Sequence, residues 1–466
     1  MEENKSVTPK VTTRNPWLWI PTLYFAEGIP YFIVNNISVL MLAKMGVPNG
    51  QMALFTSLLY LPWTIKPFWS PFVDIIKTKR WWVIAMQIIM SVAFVLLTLA
   101  MPKPAPDVIA SGQTPISMFY VTLMLFVITA FASATHDIAA DGFYMLALTQ
   151  KNQAAFVGIR STFYRLSSIF GQGVLVYIAG TIEKSSNDIP FSWQITLGVS
   201  AVIFFVVTLY HTFALPRSKD DKPRIDQATS TAKDNLRELG NSFLTFIKKP
   251  GVLLAIAFML LYRLPEGFLI KLCQPFLVHP VSEGGLGLAT DLVGTVYGVF
   301  GVIALLLGGI LGGIYSSRVG LKKSLWVMAA CMTLPCLTFV YLAIAQPSNV
   351  VIITIALCIE QFGYGFGFTA YMLYMMYFSE GEFKTSHYAI CTAFMALSMM
   401  LPGFVAGYIQ EAIGYVNFFW MVMICCFATL AVTYFVDKKI DPNYGRKEAK
   451  TPDAGTKADN PAESEK

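Results

Sequence analysis

Apolar runs recur along the chain, separated by short polar breaks or by breaks containing glycine and proline. That spacing predicts membrane-crossing helices, each of which needs about 20 apolar residues. Twelve spans are predicted, over 17–42, 50–76, 81–101, 115–147, 153–182, 192–214, 251–278, 290–315, 323–345, 350–379, 385–410 and 417–436. Several exceed the minimum length, which implies tilt or extension into the interface. A polar stretch over 215–250, rich in Lys, Asp, Arg and Ser, divides the spans into six plus six. The expected organisation is a six-helix N-terminal half (1–214), a cytoplasmic linker (215–250), a six-helix C-terminal half (251–436) and a tail (437–466). The tail is charged and poor in aromatics, a composition that favours disorder. The fold class is all-α integral membrane protein.

Composition supports that reading. Of 466 residues, 55% are hydrophobic and only 13% charged, whereas a soluble domain carries about 25% charged residues. The net charge of +6 is not a nucleic-acid footprint, because its placement follows the membrane. With the N-terminus inside, 26 of the 34 Lys and Arg fall in segments on the inner side. Only Lys44, Lys103 and Lys184 fall outside. Basic residues mark the cytoplasmic side, so both termini are expected there. The seven cysteines lie in apolar runs without disulfide or zinc spacing and read as small core hydrophobes. The sixteen residues before Trp17 are polar and do not read as a signal peptide. No metal-ligand cluster, nucleotide loop or nucleophile elbow is apparent, so no enzyme activity, metal or cofactor is expected.

The halves repeat one another. Phe25-Ala-Glu27-Gly28 matches Leu264-Pro265-Glu266-Gly267, and Asp74 with Lys79-Arg80 lines up with Ser317 and Lys322-Lys323, at offsets of 239 and 243 residues. Two six-helix halves with a site between them near the midplane form the architecture of major facilitator transporters. Gly313 to Lys323 resembles that superfamily's inner-loop signature, with Arg318 among its basic residues and Ser317 where the acid is usual.

Seven ionisable side chains lie between the middle and the cytoplasmic end of spans in the first half: Glu27, Lys66, His136, Asp137, Asp141, Arg160 and Arg165. Each charge at a helix centre costs roughly 2.5–3.5 kcal/mol, on the order of 20 kcal/mol together, so such groups pair or face water. Asp137 and Asp141, four apart, share a helix face. They are candidates for proton coupling, with Glu27 and His136, and Arg165 is their expected electrostatic partner. His136 also fits a hydrogen-bonded core residue, and Asp141 and Asp74 also fit helix caps or gate salt bridges. Ser161, Arg165, Ser168 and Gln172 form one polar stripe on the fifth span. Arg160 lies about 140° away from Arg165 around the helix, a position suited to snorkelling or a gate. Lys66 sits between Pro62, Pro67 and Pro71, where a kinked backbone exposes carbonyls. The second half supplies Tyr262, Arg263, Glu266 and Lys271, with Arg263 and Glu266 spaced to pair along the helix, and Glu360 and Gln361 on the tenth span. Lys66, Arg165, Arg263 and Lys271 offer cations to carboxylates. Tyr164, Gln172, Tyr262, Gln274 and Gln361 offer partners to hydroxyl and amide groups.

Leu61 to Asp74, Ser133 to Gly142, Tyr164-Arg165-Leu166, Tyr262 to Glu266, Gly363 to Ala370, Thr385 to Ala389 and Pro402 to Gly407 together resemble one branch of the superfamily. It is the branch of muropeptide permeases (AmpG) and acetyl-coenzyme A transporters. The resemblance implies a proton-coupled importer of anhydro-muropeptides in the bacterial inner membrane, serving cell-wall recycling by alternating access. The proton gradient is then the energy source and the cargo an anionic sugar-peptide, carried by a monomer without nucleic acid. It gives Lys66, Asp137, Asp141, Arg165 and Glu266 candidate roles. His136 replaces a glutamine common in the branch, and Lys271 is an unexpected charge. A transporter of another anionic or sugar solute, such as acetyl-coenzyme A, is the alternative. A non-transporting receptor is more distant, since no segment is long and apolar enough for a soluble domain.

Overall fold

The computed structural model describes residues 14–101, 116–148, 150–218, 221, 232–381, 384–442 and 444. The apolar runs form helices because backbone groups surrounded by lipid have no partner except one another. The first crossing, α1, is Pro16–Lys44. The second, α2, consists of Asn49–Leu58 and Leu61–Ile75, joined through a turn at Leu59 and Tyr60. Then come α3 (Lys79–Leu99), α4 (Ile116–Ala147), α5 (Gln150–Ser168 continued by Ile169–Leu175 and Val176–Ser186) and α6 (Ile189–Ala214). The second half holds α7 (Val252–Leu261 with Leu264–Val278), α8 (Thr290–Val319), α9 (Leu321–Ala345) and α10 (Val350–Ser379). A last helical stretch, Lys384–Asp437, reverses at Gly414, whose φ of 76° breaks the helix, and so supplies α11 before it and α12 after it. Among the described residues ten helical stretches are long and apolar enough to cross a membrane; with the last divided at Gly414 and the two-part α2 added, they give twelve crossings. Glycine serves at 414 because a side chain is strained at positive φ.

The linker contains a helix, Ala232–Ile247, that its polar composition did not suggest. Phe243 stacks on Phe68 of α2, with ring centroids 5.3 Å apart, and Phe246 is buried against Phe378 and Phe394. The linker also supplies Asp221, whose carboxylate accepts from the amides of Lys79 (2.6 Å) and Arg80 (2.9 Å) at the start of α3. Those amides have no partner within the helix, so an external carboxylate stabilises its end. The tail beyond 444, the loop 102–115 and the side chain of Asp74 lie outside the described residues.

Side chains sort by surroundings. Leu253 and Phe427, 80% and 71% exposed, belong to the belt that faces lipid. Inward hydroxyls such as Thr56, Thr129, Thr196 and Thr208 donate to the carbonyl four residues earlier, which satisfies them without a second helix. Trp193, Phe94 and Phe204 fill the core of the first half.

Residue 14, Leu215 and Asp437 all emerge at one end of the bundle, here the terminal end. At the opposite, far end the two halves are joined by polar contacts. Lys184 pairs with Asp291 at 2.5 Å, and Thr290 donates to Glu183 at 2.6 Å. Asn49 donates to Gln410 at 2.7 Å, and the amide of Gly50 donates to Glu411 at 2.7 Å. Beneath these, π-helical segments of α5 (Ile169–Leu175) and α8 (Gly294–Gly301) lie against each other. The approach is so close that a Cβ on Gly298 would stand 2.0 Å from the carbonyl oxygen of Gln172. Backbone cannot yield there, and overpacking of this kind costs about 1–3 kcal/mol. Gly298→Val is therefore expected to part the far end. Spin labels on Ser186 and Ser282, one in each half, should report a longer distance in the variant. An unchanged distance distribution would remove the closing role from this contact.

Candidate functional site

A cavity of about 280 Å³ lies between the halves at mid-depth. The first half contributes Tyr31 from α1, Tyr60, Trp63 and Lys66 from α2, Asp137 from α4 and Tyr164 from α5. The second contributes Arg263 and Ile270 from α7, Tyr364 from α10, and Thr392, Met395, Ala396 and Met399 from α11. Breaks in regular helix place the key groups. The turn at Leu59 and Tyr60, followed by Pro62, aims Trp63 and Lys66 inward, while α7 is interrupted at Tyr262 and Arg263. The cavity thus holds an acid and a lysine from one half opposite a guanidinium from the other.

Asp137 accepts a hydrogen bond from the indole Nε1–H of Trp63 at 3.0 Å, and the charge of Lys66 faces it. Glu27 and His136 lie just behind. One ligand atom from each of Glu27, His136 and Asp137 falls within 4.8 Å of the others, a spacing suited to a shared proton or a small cation. Oε2 of Glu27 and Nδ1 of His136 are buried without a hydrogen-bond partner among the described residues. The other ring nitrogen of His136 contacts the Gln87 side-chain amide at 3.0 Å. That amide also meets His211 at 2.9 Å, and His211 reaches Thr22 at 2.9 Å. His136 is thereby fixed inside a buried polar chain.

One turn along α4, Asp141 pairs with Arg160 at 2.7 Å and accepts from the Tyr24 hydroxyl at 3.1 Å. The Arg160 guanidinium lies 4.5 Å from the centre of the Tyr24 ring and 5.3 Å from that of Tyr144. Where Arg165 was expected as the partner of these acids, Arg160 pairs with Asp141 and Lys66 faces Asp137. Arg165 is exposed and directed toward α8, where a Cβ on Gly309 would stand 3.9 Å from its Nη1.

Arg263 donates to the Tyr364 hydroxyl, and its guanidinium is held among the rings of Phe368 (4.7 Å), Tyr364 (5.5 Å) and Tyr371 (5.6 Å). Cation–π contacts hold such a charge where few hydrogen bonds are available. Of the other candidates, Lys271 is buried over the Tyr60 ring and donates to Thr56 across the halves at 3.1 Å. Tyr262 donates to the Gly367 carbonyl at 3.2 Å, behind the cavity wall. Gln172 is buried in the π-helical segment of α5. Gln361 donates to Glu360 at 2.8 Å, Glu266 lies beside that acid, and Arg318 is exposed in the last turn of α8. Lys66, Asp137, Tyr164 and Arg263 are thus brought together on the cavity wall. Trp63, Tyr31, Tyr60, Tyr364 and Tyr24 were not singled out by sequence. Trp63 carried a signal, since it precedes Lys66 by almost one turn in a proline-rich motif.

The Major Facilitator Superfamily profile matches residues 22–387 and 286–459. The putative transporter AmpG 4 of Rickettsia conorii is 25% identical over 90% of this chain and 96% of its own. The anhydromuropeptide permease of Escherichia coli is 24% identical over 85% of this chain and 74% of its own. Among solved structures, a D-xylose-proton symporter superposes with a TM-score of 0.68 at 13% identity, covering 92% of this chain and 98% of that one. The nucleoside transporter NupG follows with a TM-score of 0.64 at 15% identity, covering 91% and 98%. These two likenesses show the fold. With twelve crossings, a mid-depth cavity between halves and a profile match along most of its length, this chain is a multi-pass membrane transporter belonging to the major facilitator superfamily.

Proposed function

We propose that the protein imports anhydro-muropeptides by alternating access, driven by protons that bind at Asp137. The observation that carries this reading is the single cavity in which Asp137 and Lys66 of one half face Arg263 of the other. A carboxylate opposed by a lysine has two stable arrangements: ionised and paired, or protonated with the lysine released. Rocking of the halves alternates between them. Glu27 and His136 support the acid from behind, and Asp141 with Arg160 ties α4 to α5. Arg263 and Lys66 suit the carboxylates of an acidic peptide, and the surrounding tyrosines suit sugar faces and hydroxyls. At about 280 Å³ the cavity is near the lower end of ligand pockets (about 300–1,000 Å³), so a whole sugar-peptide enters only as the halves part. The relatives' names favour this cargo over other anionic solutes. The protein acts as a monomer in the inner membrane and needs no cofactor beyond the proton gradient.

Uptake of an anhydro-muropeptide into proteoliposomes, with and without an imposed pH gradient, tests the reading. Accumulation should require the gradient, and accumulation indifferent to it would overturn proton coupling. The basic residues near Arg80 and Arg318 support a cytoplasmic location for both termini. Single cysteines near Lys184 should be labelled by an impermeant reagent in intact cells, whereas cysteines near Arg318 should not. The reverse pattern would invert the topology.

A further inference from the structure

Two acids in the second half take no part in the cavity wall. Glu266, on α7, follows Arg263 by three residues, and Glu360, on α10, precedes Tyr364 by one turn. Each acid therefore lies one turn along its helix from a wall residue. Each is 2% exposed. Both carboxyl oxygens of Glu266 are buried, and among the described residues no N–H or hydroxyl donor reaches them; their hydrogen-bonding neighbour is the Glu360 carboxyl on the adjacent helix. Glu360 also accepts from the Gln361 side-chain amide at 2.8 Å.

The groups facing this pair come from four helices. They are Arg263 and Cys273 on α7, Tyr297 on α8, Cys336 on α9, and Tyr364 with Gln361 on α10. Arg263 is the one cation in that set, and its Nε is buried and unpartnered. One guanidinium offsets one carboxylate. A second carboxylate with no cation costs several kcal/mol in such surroundings, and two adjacent carboxyl groups avoid it by holding one proton between them.

We infer that Glu266 and Glu360 form a second proton-binding site, separate from Asp137 and placed in the opposite half. This inference rests on the transport reading for its role in coupling, although proton binding itself does not require a cargo. Arg263 belongs to both the cavity and the pair. An anionic cargo that engages Arg263 withdraws the charge that offsets the ionised partner, and the pair then takes up another proton from solvent. Loss of cargo reverses the step. Each half thus carries one site, and cargo binding in the cavity is linked to proton uptake behind it.

Infrared spectroscopy of the purified protein reads the shared proton directly through the C=O band of a protonated carboxyl group. At neutral pH that band should be present in the parent and retained in Asp137→Asn. It should be lost in Glu266→Gln and, independently, in Glu360→Gln, so either variant suffices if the other fails to fold. In proteoliposomes supplied with an anhydro-muropeptide, Glu360→Gln should lower the number of protons moved per cargo by one. A band that persists in both glutamine variants, or one that disappears only with Asp137, overturns the inference. The expected pattern of bands, found together with a parent protein that moves no anhydro-muropeptide, supports the proton site and refutes the cargo.

Discussion

Asp137→Asn is expected to abolish gradient-driven accumulation, so that the inside-to-outside ratio of cargo falls to one while exchange of cargo across the membrane persists in part. Asparagine keeps the shape of the side chain and an oxygen for the Trp63 indole, which bonds Asp137 at 3.0 Å. What it removes is the capacity to alternate between a charge paired with Lys66 and a neutral acid. On the proposed mechanism, exchange needs only rocking of the loaded protein, whereas accumulation needs the proton. Asp141→Asn should act differently, because Asp141 already has a fixed partner in Arg160 at 2.7 Å. Its loss should lower folded yield more than coupling. Accumulation up a proton gradient by both Asp137→Asn and Asp141→Asn would show that neither acid carries the proton.

Arg263→Ala should raise the apparent KM for an acidic muropeptide by about 10- to 150-fold, the range given by a charge-assisted hydrogen bond of about 1.5–3 kcal/mol. A neutral sugar analogue should lose far less. Arg263→Lys should fall between the two, since it keeps the charge but loses the planar stacking on Phe368 at 4.7 Å. Arg165→Ala should change KM much less, because Arg165 points away from the cavity toward α8. Equal losses for acidic and neutral cargo in Arg263→Ala would make this arginine structural. A larger effect at Arg165 would move the binding site toward α8.

The crossings were legible because lipid demands a minimum apolar length, and that demand is written continuously along the chain. The linker helix Ala232–Ile247 was not. Its composition is polar on average, and its helix is stabilised by Phe243 and Phe246 packing on residues distant in sequence. The list of intramembrane charges was also legible, since any such residue is conspicuous against apolar neighbours. Their partners were not. Angular arithmetic on α5 separated Arg160 from Arg165 but could not say which faces α4, because the rotation of one helix against another depends on packing along both. Trp63 was overlooked for a related reason. An indole reads as apolar filling until a buried acceptor such as Asp137 is seen in reach of its N–H. The pairing of Glu266 with Glu360 joins residues 94 apart in sequence and left no local trace.

The seam at the far end has an energetic consequence. Lys184 is 56% exposed in its contact with Asp291, and Glu183, which accepts from Thr290, is only partly covered. Ion pairs of this kind contribute about 0–1 kcal/mol each, and dissolved salt weakens them over a Debye length of about 10 Å at 0.1 M. These charged contacts therefore add only a small, salt-sensitive margin to the closed form, and a tenfold change in its population needs only about 1.4 kcal/mol. Electrolyte on that side of the membrane thus sets part of the resting equilibrium. Turnover should carry a salt dependence that belongs to the seam and is the same for charged and uncharged cargo.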